Sequence, residues 1–261
     1  MPLSNYAYVN GRFVRESEAA VSIFDRGFLY GEGVFETMRV YGGRLFRAME
    51  HFHRLFDGLH ALAIESPFSP EELWAVCRAL IRSNRVADGV ARVYLTRDSI
   101  TATVQARKFA VRAVRAIVSG VRIDPQLSRF KTANRLPYIL AQQEAERAGV
   151  EDAVLLNSAA HVVEFTVSNL FAVQDGTLFT PPLADGPLPG VTRHVVLALA
   201  REQGIPVREE SFGPGFLDTA AEVFATNSLI EIAPIATWSR QPGVTVRMQS
   251  AYRELVEAEL R

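Results

Sequence analysis

Lysine is the residue type in this sequence that first suggests chemistry, because the chain has almost none. Of 28 Lys and Arg residues only Lys108 and Lys131 are lysines, so 28 − 2 leaves 26 arginines. Arginine replaces lysine wherever a solvated positive charge is sufficient, but its guanidinium does not lose its proton and act as an amine. Each lysine is therefore a candidate for amine chemistry, with survival by chance as the alternative.

Lys131 has the better setting for that chemistry. It stands just before a predicted helix, in Arg129-Phe-Lys-Thr-Ala-Asn-Arg135. A lysine that forms a Schiff base must be partly desolvated or near another cation, since its ordinary pKa is about 10.4, and Arg129 and Arg135 are near in sequence. A solvent-exposed lysine at a helix start is the alternative. Lys108 follows Arg107 at the start of a predicted strand, where paired charges protect an edge, and we predict a structural role for it.

Two glycine-containing segments resemble anion-binding sites. Pro189-Gly-Val-Thr-Arg193 opens a predicted helix, whose first N–H groups and threonine hydroxyl suit a phosphate. Simple N-capping by Thr192 is the alternative. The segment Gly27-Phe-Leu-Tyr-Gly-Glu-Gly33 lacks the lysine and helix that a phosphate-binding P-loop requires, and we predict a tight turn there.

Glu164 is the carboxylate that most needs a partner. On a predicted strand it shares a face with Val162, Thr166 and Ser168. A carboxylate among branched and aromatic residues costs free energy unless it is paired. Its partner is either a protonated ring nitrogen or one of the arginines.

Histidine and serine give no further site. His51 and His53 are two residues apart and do not share a helix face, so we predict no metal site. The serines have no nucleophile-elbow context, so serine hydrolysis has no support.

The first half of the chain predicts hairpins and two helices. Asn10-Gly11 and Gly42-Gly43 are hairpin turns, apolar spacing predicts a helix over residues 49–62, and Ser69-Pro70 begins a second helix that ends near residue 85. Strands are predicted at 91–96 and 109–118.

The second half predicts a mixed pattern. Helices are expected at 136–148 and from 191, strands at 153–156, 165–173 and 177–179, and a loop at 181–190. We therefore predict an α+β fold with a small N-terminal domain (1–119), a connector (120–130) and a larger C-terminal cofactor-binding domain (131–261), with the active site in a cleft between the domains.

Composition excludes several classes of protein. Hydrophobic residues make up 48%, charged residues 22%, and the net charge is −1, which describes an ordered globular chain without the charge field that nucleic acid or an acidic membrane needs. The longest apolar runs, such as 195–200 and 229–235, are far below the roughly 18–20 residues of a membrane span. The N-terminus shows no secretory signal, and Cys77 alone cannot form an intrachain disulfide. We predict a cytoplasmic protein with no nucleic-acid or membrane partner.

The order and spacing of these motifs resemble the class IV aminotransferases. These fold-type IV enzymes use pyridoxal 5′-phosphate (PLP) and include branched-chain aminotransferase, D-amino-acid aminotransferase and aminodeoxychorismate lyase. The similarity covers nearly the whole chain. Besides Lys131, it is carried by Phe24-Asp-Arg-Gly-Phe-Leu-Tyr-Gly-Glu-Gly-Val-Phe-Glu-Thr37, Glu164-Phe-Thr-Val-Ser-Asn-Leu-Phe171, Leu188-Pro-Gly-Val-Thr-Arg193 and Phe224-Ala-Thr-Asn-Ser-Leu-Ile-Glu-Ile-Ala-Pro234.

The resemblance implies a role for each matching residue. Lys131 would hold PLP as an internal aldimine and move the proton between the substrate Cα and the cofactor. Glu164 would keep the pyridine nitrogen protonated, and Arg54 would bind the phosphate bidentately. The other implied cofactor-binding residues are Thr166, Asn169, Val191, Thr192, Asn227 and Ser228. A loop from a partner subunit completes the site in this family, so a homodimer is implied.

The departures from the family pattern concern the substrate. Leu136 stands where branched-chain enzymes have a tyrosine, and no Arg-x-His pair like that of the D-amino-acid enzymes follows Thr96. The strings Phe35-Glu-Thr37 and Thr226-Asn-Ser228 are similar to some aminodeoxychorismate lyases. The candidates for contact with substrate are Tyr30, Phe35, Arg92 and Arg97. We expect an amino-acid:2-oxo-acid aminotransferase, with aminodeoxychorismate lyase and a non-catalytic PLP-binding protein as alternatives.

Overall fold

The computed structural model of the protein describes residues 5–240 and 243–260. Residues 1–4, on which the expectation of no secretory signal partly rests, lie outside this range. The chain forms two compact units. Unit 1 comprises residues 5–109, 130–134 and 259–260, and unit 2 comprises residues 110–129 and 135–258 as far as they are described.

Unit 1 is an antiparallel sheet with two long helices. Its elements are β1 (Tyr6–Val9), β2 (Arg12–Arg15), α1 (Arg26–Tyr30), β3 (Gly33–Tyr41), β4 (Arg44–Leu45), α2 (Ala48–Ala61), α3 (Pro70–Ser83), β5 (Gly89–Thr96) and β6 (Ile100–Ala106). The described strands follow the order β2-β1-β6-β5-β3-β4. Both predicted hairpins and both predicted helices are confirmed.

The unit 1 core forms because one face of the sheet is apolar. Along β3, Val34, Met38 and Val40 alternate inward and are buried together with apolar side chains of α2 and α3. At the start of α3, the Ser69 hydroxyl accepts from the Glu72 N–H, and the Glu72 carboxylate accepts from the Ser69 N–H. This capping box fixes where α3 begins.

Unit 2 is built on a larger mixed sheet. Its elements are β7 (Ala116–Ile123), α4 (Pro125–Ser128), α5 (Leu136–Arg147), β8 (Asp152–Asn157), β9 (Val162–Phe165), β10 (Asn169–Gln174), β11 (Thr177–Thr180), α6 (Val191–Glu202), β12 (Val207–Glu209), α7 (Gly215–Thr219), β13 (Glu222–Asn227), β14 (Glu231–Pro234) and α8 (Val244–Glu259). The described strands run β12-β11-β10-β9-β8-β7, and β13 pairs with β10 and β14.

Several predicted boundaries differ from the structure. The predicted strand 109–118 is irregular up to residue 115, and the predicted connector 120–130 contains the end of β7 and α4. β7 pairs with β8, so residues 116–123 belong to unit 2. Residues 130–134 belong to unit 1 because they hydrogen-bond to β3. The units therefore have different bounds from the predicted domains.

The predicted strand start at Lys108 is wrong, because Lys108 follows β6 outside any strand, and its side chain is exposed. No helix in the described ranges is long and apolar enough to cross a membrane.

Candidate functional site

Lys131 lies against β3 in unit 1. The Lys131 carbonyl accepts from the Phe35 N–H at 3.0 Å, and Ala133 N–H donates to the Gly33 carbonyl at 2.8 Å. The Lys131 Nζ lies 4.6 Å from the centroid of the Phe35 ring, a cation–π distance. Lys131 is thus half-buried with its amine over an aromatic face, and backbone hydrogen bonds hold this segment against β3.

A buried ion pair lies at the next residue of β3. Glu36 points inward beside Val34 and Met38 and is fully buried. Its two carboxylate oxygens accept from Arg54 Nε at 2.7 Å and Arg54 Nη2 at 2.8 Å, and one also contacts His51 Nδ1 at 2.7 Å. Because α2 places His51 and Arg54 three residues apart, both reach the same carboxylate.

The electrostatics of this cluster keep Glu36 ionised. Burial alone would raise the pKa of Glu36, but the charges of Arg54 and His51 and their hydrogen bonds hold that pKa far below its ordinary value. Burial lowers the pKa of His51, and the charge of Glu36 offsets only part of that effect. Near neutral pH the cluster is therefore a carboxylate paired with a guanidinium, with a neutral imidazole donating to it.

Glu164 is the corresponding buried carboxylate of unit 2. It lies on β9 with 5% of its surface exposed. Its Oε1 accepts from the Tyr138 hydroxyl at 3.2 Å, and its Oε2 accepts from Asn169 Nδ2 at 3.2 Å and the Leu188 N–H at 3.1 Å. These three donors are neutral groups that come from α5, β10 and the loop before α6.

Tyr138 is fixed by its surroundings. Burial, and then the charge of Glu164, raise the pKa of the Tyr138 phenol well above its ordinary value, although the charge of Arg135 opposes this. The phenol is therefore protonated at physiological pH and acts as a donor. The guanidinium of Arg135 lies 3.6 Å from the ring centroid of Tyr138 and donates to the Thr166 carbonyl at 2.6 Å.

A turn, and not a continuous strand, follows Glu164. β9 ends at Phe165, whose N–H donates to the Ser168 carbonyl at 2.8 Å. The prediction that Thr166 and Ser168 share the strand face of Glu164 is therefore wrong. The Thr166 hydroxyl donates to Asp152 Oδ1 at 2.6 Å. Burial raises the pKa of Asp152, and hydrogen bonds from Thr166 and Ala153 offset only part of that rise.

The first turn of α6 has an open N-terminus. Gly190, and not Thr192, is the N-cap residue, and in the described chain no side chain caps this helix. A Cβ atom on Gly190 would lie 1.9 Å from Asn169 Oδ1, so only glycine fits there. The helix therefore starts directly beside Asn169, with Val191 and Thr192 buried in its first turn.

Asn227 ends β13 in a tight turn. Its Oδ1 accepts from the N–H groups of Leu229 and Ile230 at 2.8 and 2.9 Å. Its Nδ2 donates to Ser168 Oγ at 2.8 Å, so the turn that contains Ser228 is tied to the turn that follows Glu164.

Of the substrate candidates, Phe35 and Arg92 share one face of the unit 1 sheet. Phe35 stacks on Tyr94 with 5.9 Å between ring centroids. Arg92 shares that face because it is two residues from Tyr94 on β5, and it pairs with Thr37 across the sheet.

Two other substrate candidates have partners elsewhere. Arg97 forms an ion pair with Glu32 at 3.1 Å. Tyr30 is 67% exposed and lies under the guanidinium of Arg26.

The sequence-predicted site residues form two groups. Lys131, Phe35 and Arg54 lie around β3 in unit 1. The group in unit 2 consists of Glu164, Thr166, Asn169, Val191, Thr192, Asn227 and Ser228. In the described part of the chain, no three His, Cys, Asp or Glu side chains are grouped to hold a metal ion.

Sequence reasoning missed the residues that hold these groups in place. Glu36 could have been found, because its alternation with Val34 and Met38 places a carboxylate on an apolar strand face and so demands a cation. Tyr138 and Asp152 gave no such signal, since their partners come from segments distant in sequence.

Known proteins resemble this chain throughout. The family described as amino-transferase class IV matches residues 33–238. A putative branched-chain-amino-acid aminotransferase from Methanocaldococcus jannaschii is 38% identical over 247 residues, which cover 87% of this chain and 86% of that protein. A D-alanine aminotransferase from Staphylococcus aureus is 29% identical, covering 96% and 98%.

Solved structures agree with these relatives. The branched-chain amino acid aminotransferase of Escherichia coli matches with a TM-score of 0.91 and 30% identity, over 97% of this chain and 95% of that one. The predicted α+β fold class is thereby confirmed.

Proposed function

Because the chain belongs to the class IV aminotransferase family, we propose that it moves an amino group between an amino acid and a 2-oxo acid with Lys131 as its catalytic amine. The family is PLP-dependent. The observation that carries the proposal is Glu164, a buried carboxylate held by three neutral donors. That arrangement suits a cationic ring nitrogen, because a buried negative charge gains from a cationic partner.

The residues also fit the phosphate of PLP. The first turn of α6 offers N–H groups without a side-chain cap, which is the usual setting for a bound phosphate. Arg54 supplies a guanidinium whose orientation Glu36 fixes. A phosphate cannot use the Nε and Nη2 edge of Arg54 while Glu36 holds it. We assign Val191, Thr192 and Arg54 to the phosphate.

The remaining cofactor-binding residues support these groups. Asn227 and Ser228 close the phosphate site from the end of β13. Asn169 holds Glu164 and the Leu188 carbonyl, and Thr166 anchors the turn after Glu164 to Asp152.

When bound, PLP supplies a ring that withdraws the electron pair left by removal of the substrate Cα proton. Lys131 would hold the cofactor covalently, and once the substrate amine has displaced it, the freed Lys131 amine would carry that proton to and from Cα. Glu164 keeps the ring nitrogen protonated through its charge. Phe35, against which the Lys131 amine lies, excludes water from one side of that amine.

Borohydride reduction followed by peptide mapping tests the lysine assignment directly. With only two lysines in the chain, we expect the cofactor on Lys131 and none on Lys108. Lys131→Arg keeps the charge and should abolish amino transfer, whereas Lys108→Arg, the matched control, should retain it. Cofactor on Lys108, or turnover by Lys131→Arg at a rate comparable to the unaltered enzyme, contradicts the proposal.

The substrates are an amino acid and a 2-oxo acid. One relative is named for branched-chain amino acids and another for D-alanine, so their names do not agree on one substrate or fix the configuration at Cα. Amino donors of both configurations should therefore be screened against pyruvate and 2-oxoglutarate.

Arg92 is our candidate for the substrate carboxylate, because it lies on the same sheet face as Phe35. Arg92→Gln should raise KM and leave kcat nearly unchanged.

Aminodeoxychorismate lyase is the second candidate, favoured by the strings Phe35-Glu-Thr37 and Thr226-Asn-Ser228. The same lysine would remove the Cα proton, but elimination of pyruvate would follow. Incubation with aminodeoxychorismate separates the two reactions. Formation of p-aminobenzoate and pyruvate, without amino transfer between amino acids and 2-oxo acids, would overturn our preference.

We also propose that a second copy of the chain covers residues 21–30 of unit 1, forming a homodimer. Ile23, Phe24 and Phe28 are large apolar side chains exposed in this segment, and exposed apolar patches mark interaction sites. Phe24→Asp should convert a dimer to a monomer in analytical ultracentrifugation, whereas Leu127→Asp, at an exposed leucine of unit 2, should not. A monomeric unaltered protein would refute the homodimer.

A further inference from the structure

We propose that Tyr138 is a positioning residue that holds one oxygen of Glu164 and stabilises the ionised carboxylate toward the cofactor ring. The inference rests on the proposed pairing of Glu164 with the ring nitrogen. Tyr138 lies outside the motifs that carry the family resemblance.

The three donors bind different oxygens of the Glu164 carboxylate. Asn169 Nδ2 and the Leu188 N–H both donate to Oε2, while the Tyr138 hydroxyl donates to Oε1. Of these three, only the phenol fixes Oε1. The rotation of the carboxylate about its last bond is therefore set jointly by Tyr138 and the Oε2 donors.

Tyr138 is itself held rigidly. It is 8% exposed and packs with Ala141, Leu155 and Val163 in one apolar cluster of unit 2. Leu155 pairs directly with Glu164 across β8 and β9. Arg135 covers the ring and is anchored by its bond to the Thr166 carbonyl, so the phenol has little freedom to leave Glu164.

A hydrogen bond to a carboxylate stabilises its charged form and makes it a weaker base. Beside a protonated ring nitrogen, a weaker base leaves the proton on the nitrogen. Loss of the phenol would make Glu164 more ready to take that proton, which would weaken the ion pair. Tyr138 therefore acts through Glu164 and touches neither substrate nor cofactor in this proposal.

The test compares Tyr138→Phe with Tyr252→Phe, a control at a fully buried tyrosine on α8. Each apoenzyme is titrated with PLP to give Kd, and the visible absorption band of the bound cofactor is recorded. We expect Tyr138→Phe to weaken PLP binding about threefold to tenfold, the size of one ordinary hydrogen bond, and to shift the visible band. Tyr252→Phe should change neither.

Glu164→Gln in the same assays separates this inference from the proposed function. If Glu164→Gln alters Kd and the band but Tyr138→Phe does not, the inference about Tyr138 is wrong and the pairing of Glu164 stands. If neither variant alters them, the proposed role of Glu164 fails. A lowered melting temperature of Tyr138→Phe with unchanged Kd and band would mean a purely structural tyrosine and would also overturn the inference.

Discussion

The two units each bury a carboxylate on a strand, but they hold it in opposite ways. Glu36 on β3 is paired with the guanidinium of Arg54 and the imidazole of His51. Glu164 on β9 accepts from a phenol, an amide and a backbone N–H. Glu36 has its counter-charge within unit 1, whereas the three donors named for Glu164 are neutral groups.

This difference separates a supporting carboxylate from one suited to a ligand. A buried ion pair mainly fixes geometry, since its Coulombic gain is consumed by desolvation, so Glu36 is best explained as the group that orients Arg54. The three donors of Glu164 orient its carboxylate, and a buried carboxylate oriented in this way suits a cationic group of a ligand.

The largest expected effect is on the stability of unit 1. Arg54→Ala leaves Glu36 buried without its guanidinium, so the free energy of unfolding should fall by about 3–5 kcal/mol. Urea denaturation measures this loss. Adding Glu36→Gln to Arg54→Ala should restore part of the stability, because the stranded charge is removed.

Arg92→Ala is the matched control for that prediction. Arg92 is exposed on β5, and its removal should change stability by less than about 0.5 kcal/mol. If Arg54→Ala is no worse than Arg92→Ala, the buried pair does not have the role described above.

Sequence patterns predicted the elements whose signals are local. The Asn10-Gly11 turn, the helix start at Ser69-Pro70 and the 49–62 periodicity each depend on neighbouring residues, and each element formed near its predicted bounds. The strand predicted at 165–173 is instead two strands, because the bond between Phe165 N–H and the Ser168 carbonyl makes a turn that alternation does not reveal.

Only those residues of the candidate site that lie in family motifs could be predicted from the sequence. Lys131, Glu164 and Arg54 were named from sequence, but their supports were not. Tyr138 reaches Glu164 across 26 positions, and Asp152 reaches Thr166 across 14. Such contacts follow from sheet register and helix packing, which the residue pattern alone does not determine.

The next effect concerns Glu164 and activity. Glu164→Gln keeps a group of similar shape but removes the charge, so we expect amino transfer to fall on the order of 100-fold, the usual loss for one electrostatic group at a reacting centre. Steady-state kinetics and circular dichroism should show a folded, slow enzyme. An unchanged kcat would contradict the proposed role of Glu164, because the carboxylate would then not serve a ligand.

A smaller effect appears in acid and concerns Glu36. Because the folded-state pKa of Glu36 is depressed, its pairing stabilises the protein above the unfolded pKa of about 4.3, and that stability is lost as pH falls through the folded value. The stability advantage of the unaltered protein over Glu36→Gln should therefore shrink below about pH 4. Chemical denaturation at pH 7 and pH 3 measures it, and an advantage that grows in acid contradicts the pairing.

The smallest effect has the opposite sign and belongs to Asp152 of unit 2, which accepts hydrogen bonds from neutral groups of Thr166 and Ala153. Burial raises its pKa, so its contribution to stability is present below the unfolded pKa of about 3.9 and is lost as pH rises through the folded value. Asp152→Asn can keep Oδ1 as the acceptor for Thr166 while removing the charge. We expect the variant to be up to about 1 kcal/mol more stable at pH 7, with the gain disappearing near pH 4. The stability of Asp152→Asn minus that of the unaltered protein should be larger at pH 7 than at pH 4. If it is smaller at pH 7, Asp152 has a cationic partner, and the contrast between the two units fails.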